Sequence, residues 1–326
     1  VSALVRFDLN TGIQRVVKQI IKSLFANSSA GDVFEPVYLN YDDGLWRFKY
    51  ARELTAKLLD LSGVDAKDSF VDLRVGDTLV MLDLAGDVVC DAFDQGLFSV
   101  LKSEGIALEA VVYDLLPVTM PLCFPEGAQA AHTRWLKVIS TFDRAICISS
   151  SVASEYSHWL RENAELLVEQ KVPEVSWFHL GADFGDAIES AAQIGVSDSS
   201  DSDCNDTLTF LMVGTIEPRK GYLQVLEAFE QLWRSGFKHQ LQIVGRVGWV
   251  NWVPEEKCRD IPVTLKKLEM LESSGYPIRW YRDANDDVLN ALYSRTSCVI
   301  AASYGEGFGL PLIEAAYRGV PLIARD

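Results

Sequence analysis

The chain has 326 residues, enough for about two domains of ~150 residues each and for a core that needs no disulfide staples. Hydrophobic residues make up 48% and charged residues 23%, which excludes a disordered chain. Thirty basic against 46 acidic residues leave a net charge of −16, which repels nucleic acid and anionic lipid as bulk partners but allows a local basic pocket for a small anion.

In chain order, Val1–Val5 reads as the tail of a strand and Gly12–Phe25 as a helix, with Thr78–Leu82, Leu108–Tyr113 and Arg144–Ile148 as further strands. The stretch from Gly185 to Asp206 is rich in Ser and Asp and reads as a solvated linker. It divides the chain into a first domain at 1–184 and a second at 207–326. The second half alternates cleanly. Strands are expected at Leu208–Gly214, Gln240–Gly245, Ile278–Tyr281, Cys298–Ala302 and Val320–Ala324, with helices at Leu223–Trp233, Val263–Ser273, Val288–Ser294 and Leu310–Arg318 between them. Strands separated by helices of this length mean right-handed crossovers and a parallel sheet. The fold class is therefore α/β, with two Rossmann-like domains facing across a cleft, where a ligand meets the carboxyl ends of the strands. Because Asp326 follows directly on a strand-like run, the second domain is expected to be truncated at its carboxyl end.

The six cysteines form no C-x-x-C pair, so a zinc knuckle or a dithiol motif is not expected, and they read as reduced thiols of a cytoplasmic protein. No leader and no apolar run of about 20 residues appears. His132, His158, His179 and His239 are scattered and match no metal-binding pattern. Arg15, Lys18 and Lys22 share a face of the first helix, which reads as a solvated face or, less simply, as a place to meet a lipid-linked acceptor. Trp249 and Trp252 pack on the sheet or cover a nucleotide base.

Two loops carry the chemistry. The first, Ser303-Tyr-Gly-Glu-Gly-Phe-Gly-Leu-Pro-Leu-Ile-Glu314, leaves a strand and opens a helix. Gly305, Gly307 and Gly309 permit close backbone approach, Pro311 suits a first helical turn, and the N–H groups near Phe308–Leu310 face an anion. Glu306 and Glu314 are then placed to meet sugar and ribose hydroxyls, although their spacing alone means little in so acidic a chain. The second loop, Val213-Gly-Thr-Ile-Glu-Pro-Arg-Lys-Gly221, sets Arg219 and Lys220 just before a helix. Cations there oppose the helix dipole by ~0.3–1 kcal/mol unless an anion lies between them, and a diphosphate would resolve that conflict. The plain alternatives are a tight turn and a solvated basic turn. Both loops leave carboxyl ends of strands in one sheet, so they can converge.

These stretches resemble the retaining glycosyltransferases of family four, which have the two-domain GT-B architecture. Glu306 and Glu314 match that family's E-x7-E motif within YGEGFGLPLIEAAYRGVPLIA, and VGTIEPRKG resembles its phosphate loop. FDLNTGIQRVV resembles its first glycine loop, with Gly12 toward the donor; YDLLPVTMPLCFPE and FHLGADF fit the mannosyltransferase-like branch that builds bacterial surface polysaccharides. The resemblance implies transfer of a sugar, mannose from GDP-mannose at branch level, onto a glycan or lipid-linked glycan, with no cofactor and no metal, in the cytoplasm or at the inner face of the cytoplasmic membrane. It assigns catalysis to Glu306, Lys220, Arg219 and Asp114, and donor binding to Gly12, Gly214, Thr215, Arg219, Lys220, Gly307, Phe308, Gly309, Leu310 and Glu314. The chain departs from the family at Thr215, where relatives carry arginine, and at Tyr113-Asp114, where many carry His-Asp. The family also continues past this point with a helix that crosses back to the first domain.

Rival readings are weaker. Asp201-x-Asp203 has metal-binding spacing but lies in the linker, and Gly305-x-Gly307-x-Gly309 lacks a dinucleotide frame. A sugar-nucleotide epimerase of the same fold, or a non-catalytic sugar-nucleotide-binding module of a longer chain, would need the same donor pocket.

Overall fold

In the first half, alternating apolar and polar side chains around an Asp-Gly turn make a hairpin. Val37–Asp42 (β1) pairs antiparallel with Leu45–Tyr50 (β2), and Asp43 and Gly44 take φ of 50° and 79°, the left-handed geometry that two-residue hairpins favour. The computed structural model describes residues 1–7, 11–27, 33–63, 65–167, 172–181, 207–248 and 260–325. The linker stretch at 185–206, with Asp201 and Asp203, lies outside them, as do Trp249 and Trp252.

Four further strands, Thr78–Met81 (β3), Ala107–Val112 (β4), Arg144–Cys147 (β5) and Glu174–Trp177 (β6), form a parallel sheet in that order. Leu108, Ala110, Val112, Ala145 and Cys147 are buried under helices such as Leu97–Ser103 and Ser150–Glu162. The second of these is capped by the Ser149 side chain, which accepts from the Val152 N–H at 3.2 Å.

The amino end corrects one expectation. Ser2–Arg6 is a short helix, not the tail of a strand. Val1 and Leu4, three residues apart, are both buried, as a helical face requires, and the Leu4 N–H donates to the Asp83 carboxylate at 2.9 Å. The next helix, Gly12–Asn27, buries Gln14, Val17 and Ile21. Arg15 and Lys18 beside that face are half-buried, and Lys22 is exposed.

The second half builds a five-stranded parallel sheet from Thr209–Val213 (β7), Gln240–Val244 (β8), Ile278–Tyr281 (β9), Cys298–Ala301 (β10) and Leu322–Ala324 (β11), in the order β11-β10-β7-β8-β9. Helices cover both faces. Met212, Ile243 and Ile300 pack with Leu226 and Phe229 of Tyr222–Arg234 and with Leu268 and Leu271 of Ile261–Ser273. Leu211, Val244 and Val299, of opposite parity, pack with Leu289, Leu292 and Tyr293 of Asp286–Arg295 and with Ala315. Strand order reverses between β7 and β10. In open α/β sheets, the crevice beyond the carboxyl ends of the strands at such a reversal is where ligands bind.

The chain thus divides into two Rossmann-like units, Val1–Val118 with Ala130–Leu180, and Thr119–Gln129 with Gly181–Asp326. The segment Thr119–Gln129 groups with the second unit although its sequence neighbours on both sides belong to the first.

Candidate active site

The two loops expected to carry the chemistry leave β7 and β10, the strands that flank the reversal. They are held together by backbone, with the Tyr304 N–H donating to the Arg219 carbonyl at 2.7 Å. Gly221, at φ 71°, makes the close approach possible: a Cβ there would lie 2.5 Å from the Ala302 carbonyl oxygen. The Tyr222 hydroxyl, fully buried and raised well above its ordinary pKa by that burial, donates to the Gly214 carbonyl and ties the start of the loop to the helix that follows it.

Between the loops lies a cavity of about 240 Å³, lined by the ends of β7, β10 and β11 and by Lys220, Ser303, Glu306, Gly309 and Arg325. The conflict expected of two cations before a helix is resolved by carboxylates of the chain itself. Lys220 Nζ donates to Glu306 Oε1 at 2.6 Å, and Arg219 donates to Glu306 Oε2 at 3.0 Å and to the Gly305 carbonyl at 3.1 Å. The other side of the guanidinium meets Glu217 at 2.6 Å. Burial alone would raise the Glu306 carboxyl. The Lys220 and Arg219 charges, with hydrogen bonds from Lys220 and Ser303, outweigh it and hold the group below its ordinary 4.5.

Glu314 is placed differently from Glu306. It is buried within the helix Leu310–Tyr317 and accepts a hydrogen bond from the Tyr293 hydroxyl at 2.9 Å. Gly309 precedes that helix in the left-handed region, and no side-chain cap closes its amino end. Gly307, Phe308 and Leu310 lie half-buried around this turn. Gly214 sits against the Lys220 side chain; Thr215 is exposed and is not among the cavity's lining residues.

Gly12 and Asp114 belong to the first unit. Gly12 opens the helix Gly12–Asn27. Asp114 follows β4, accepts from the Leu116 N–H at 3.1 Å, and its carbonyl lies 3.1 Å from His132 Nε2. Burial raises the Glu155 carboxyl, and the Asp114 charge adds to this. His132 is buried, which lowers its pKa against the pull of Asp114. The other histidines are placed structurally: His158 pairs with Glu162 at 3.0 Å, His179 meets Trp177 edge-on, and His239 accepts from the Leu208 N–H at 3.0 Å.

Sequence reasoning passed over Glu217, Tyr293 and Arg325. The first two carry no spacing signal, since their partners are set by the fold. Arg325 had one, because it follows the last strand of the sheet. It stacks on the Tyr304 ring at 4.0 Å and donates to the Ala302 carbonyl at 3.1 Å beside the cavity. Cys123, from the segment shared with this unit, also lies within electrostatic reach: burial raises its thiol and Arg219 opposes the rise.

Residues 200–326 match the family described as "Glycosyl transferases group 1". Over 327 aligned residues the chain is 35% identical to the serotype-specific mannosyltransferase WbdA of Escherichia coli, covering 100% of this chain and 37% of that protein. It is 31% identical over 117 residues to O-antigen chain mannosyltransferase B of Escherichia coli, covering 36% of this chain and 28% of that one. The chain therefore spans well under half the length of these curated relatives. Among solved structures it is similar to an alpha,alpha-trehalose-phosphate synthase (UDP-forming) from Burkholderia vietnamiensis, with TM-score 0.56 and 11% identity over 84% of this chain and 64% of that one. A sucrose-phosphate synthase from Thermosynechococcus elongatus gives TM-score 0.50 and 19% identity over 76% and 55%. At these identities the likeness is one of fold.

Proposed function

We propose, from the premise that residues 200–326 are a group 1 glycosyltransferase domain, that the chain is a mannosyltransferase segment moving mannose from GDP-mannose onto a growing bacterial polysaccharide or lipid-linked glycan. The observation that carries the reading is the cluster of Lys220, Arg219 and Glu306, set at 2.6–3.0 Å across two loops at the reversal point of the second sheet. The similarity to a mannosyltransferase, which runs through the whole of this chain and 37% of that protein, supports the choice of sugar.

In this reading Lys220 and Arg219 neutralise the departing diphosphate, with no metal required, helped by the uncapped amino end of Leu310–Tyr317. Glu306 meets the donor sugar or the charge that develops at its anomeric carbon. Glu314, oriented by Tyr293, holds the ribose. Asp114 contacts acceptor or donor, and Gly12 faces the donor. The acceptor oxygen bonds to the anomeric carbon on the face the diphosphate leaves, the carbon–phosphate-oxygen bond breaks, and the departing phosphate oxygen takes the acceptor proton. Configuration is retained without a carboxylate nucleophile. Trapping a glycosyl-enzyme on any carboxylate would overturn that step.

Calorimetric titration with GDP-mannose, GDP, UDP-glucose and NAD tests the function. Selective binding of the guanine nucleotides, weakened at least about tenfold, or ~1.4 kcal/mol, by Lys220→Ala, is the expected result. Preference for NAD or for UDP-glucose would overturn the donor assignment, and turnover without an acceptor would turn the reading toward an epimerase.

A further inference from the structure

We propose that Glu306 occupies the phosphate subsite of the unliganded chain, so that a nucleotide donor enters by exchanging its diphosphate for this carboxylate on Lys220 and Arg219. The inference rests on the reading of those two cations as the leaving-group site.

Three observations carry it. The first is geometry: each oxygen of Glu306 meets a different cation, Oε1 with Lys220 at 2.6 Å and Oε2 with Arg219 at 3.0 Å. A phosphate oxygen pair would make the same charge-assisted contacts. The second is charge. Arg219 and Lys220 face Glu217 and Glu306, two positive groups against two negative, so the cluster is already neutral. A diphosphate added to it while Glu306 stayed in place would meet a carboxylate in a partly desolvated setting, where like charges repel strongly. Binding therefore requires the carboxylate to leave. The third is room. Glu306 is on a loop, its side chain keeps 24% of its exposure, and the cavity that it and Lys220 line provides a place to swing.

Glu217 completes the device as a positioning residue. Its side chain is only 9% exposed and holds Arg219 from the side away from Glu306 at 2.6 Å. When Glu306 departs, the guanidinium keeps its pairing with Glu217 and its orientation. The carboxylate is thus delivered to the sugar only when a donor has taken its place, which ties the catalytic group to substrate occupancy.

Binding of inorganic pyrophosphate and of GDP to the chain is the test. Glu306→Gln, nearly isosteric and uncharged, is expected to bind both at least about tenfold more tightly than the unaltered chain, while transferring sugar more slowly. Glu217→Gln is expected to weaken both ligands. Equal or weaker pyrophosphate binding by Glu306→Gln, with Lys220→Ala still weakening it, would overturn the exchange and leave the leaving-group reading standing. Pyrophosphate binding indifferent to Lys220→Ala would overturn both. A second measurement needs no variant: carbodiimide coupling of an amine to carboxylates, read by mass spectrometry. Pyrophosphate is expected to increase labelling at Glu306 by releasing it from its ion pairs, and unchanged or reduced labelling would overturn the exchange.

Discussion

Glu306 lies where burial and two cations pull its carboxyl in opposite directions, and the cations win. A carboxyl group whose folded pKa is depressed contributes stability that is fully present above its unfolded pKa, near 4.5, and is lost as pH falls through the folded value. The stability difference between the chain and Glu306→Gln is therefore expected to be flat from pH 7 down to about 5 and to shrink below that. Urea unfolding of both proteins across this range checks it, and a difference that grows on acidification would contradict the assigned direction. At Glu314 the issue is burial beside a hydroxyl donor. Tyr293→Phe removes the hydroxyl that donates to this buried carboxylate. The expected cost is ~1–3 kcal/mol, read from the denaturation midpoint, together with a rise in KM for the donor larger than any change in kcat. An unchanged KM would make Tyr293 a purely structural partner.

The site is built from loops, and the loops depend on close passage of backbone. Gly221→Ala would place a methyl group 2.5 Å from the Ala302 carbonyl oxygen at a φ of 71°. The expected destabilisation is about 2–5 kcal/mol, the sum of left-handed strain and overpacking. Gly236→Ala has similar strain, at φ 96°, with nothing within 4 Å, and is expected to cost only about 1–2 kcal/mol. Equal losses in the two variants, measured by urea midpoints, would mean that packing between the loops contributes nothing. The same elements explain what was legible beforehand. Thr209–Val213 and Cys298–Ala301 are buried on both faces, so they read as unbroken apolar runs, and the glycine-rich loop after Cys298–Ala301 could be placed at once. The hairpin of Val37–Asp42 and Leu45–Tyr50 went unread although Asp43-Gly44 signals it, because half-buried strands such as these show no apolar run. Val1–Val5 misled because a short apolar run fits a strand or a buried helical face equally well. The pairing of Glu306 with Lys220 spans 86 residues, and no local pattern encodes a contact at that separation.

At the scale of the whole molecule, the two units have separate parallel sheets, and each buries apolar strand residues of its own, which is the usual basis of separate cooperative unfolding. The cavity, its two loops and all of Lys220, Arg219, Glu217, Glu306 and Glu314 lie in the second unit. No helix among the described residues is long and apolar enough to cross a membrane. Two melting transitions are expected, and Gly221→Ala identifies the one belonging to the second unit by lowering it. GDP at 100 times its Kd should stabilise that unit by ~2.7 kcal/mol and raise the same transition while leaving the other where it was. The segment Thr119–Gln129 sharpens the test, because it packs with the second unit while its chain neighbours belong to the first. If the first unit melts earlier, the second transition should be broadened and lowered by proteolytic nicking within 119–129, since the nick removes the tether that holds the segment in place. A single transition that GDP moves as a whole would show that the segment binds the two units into one cooperative block, and the two-transition expectation would fail.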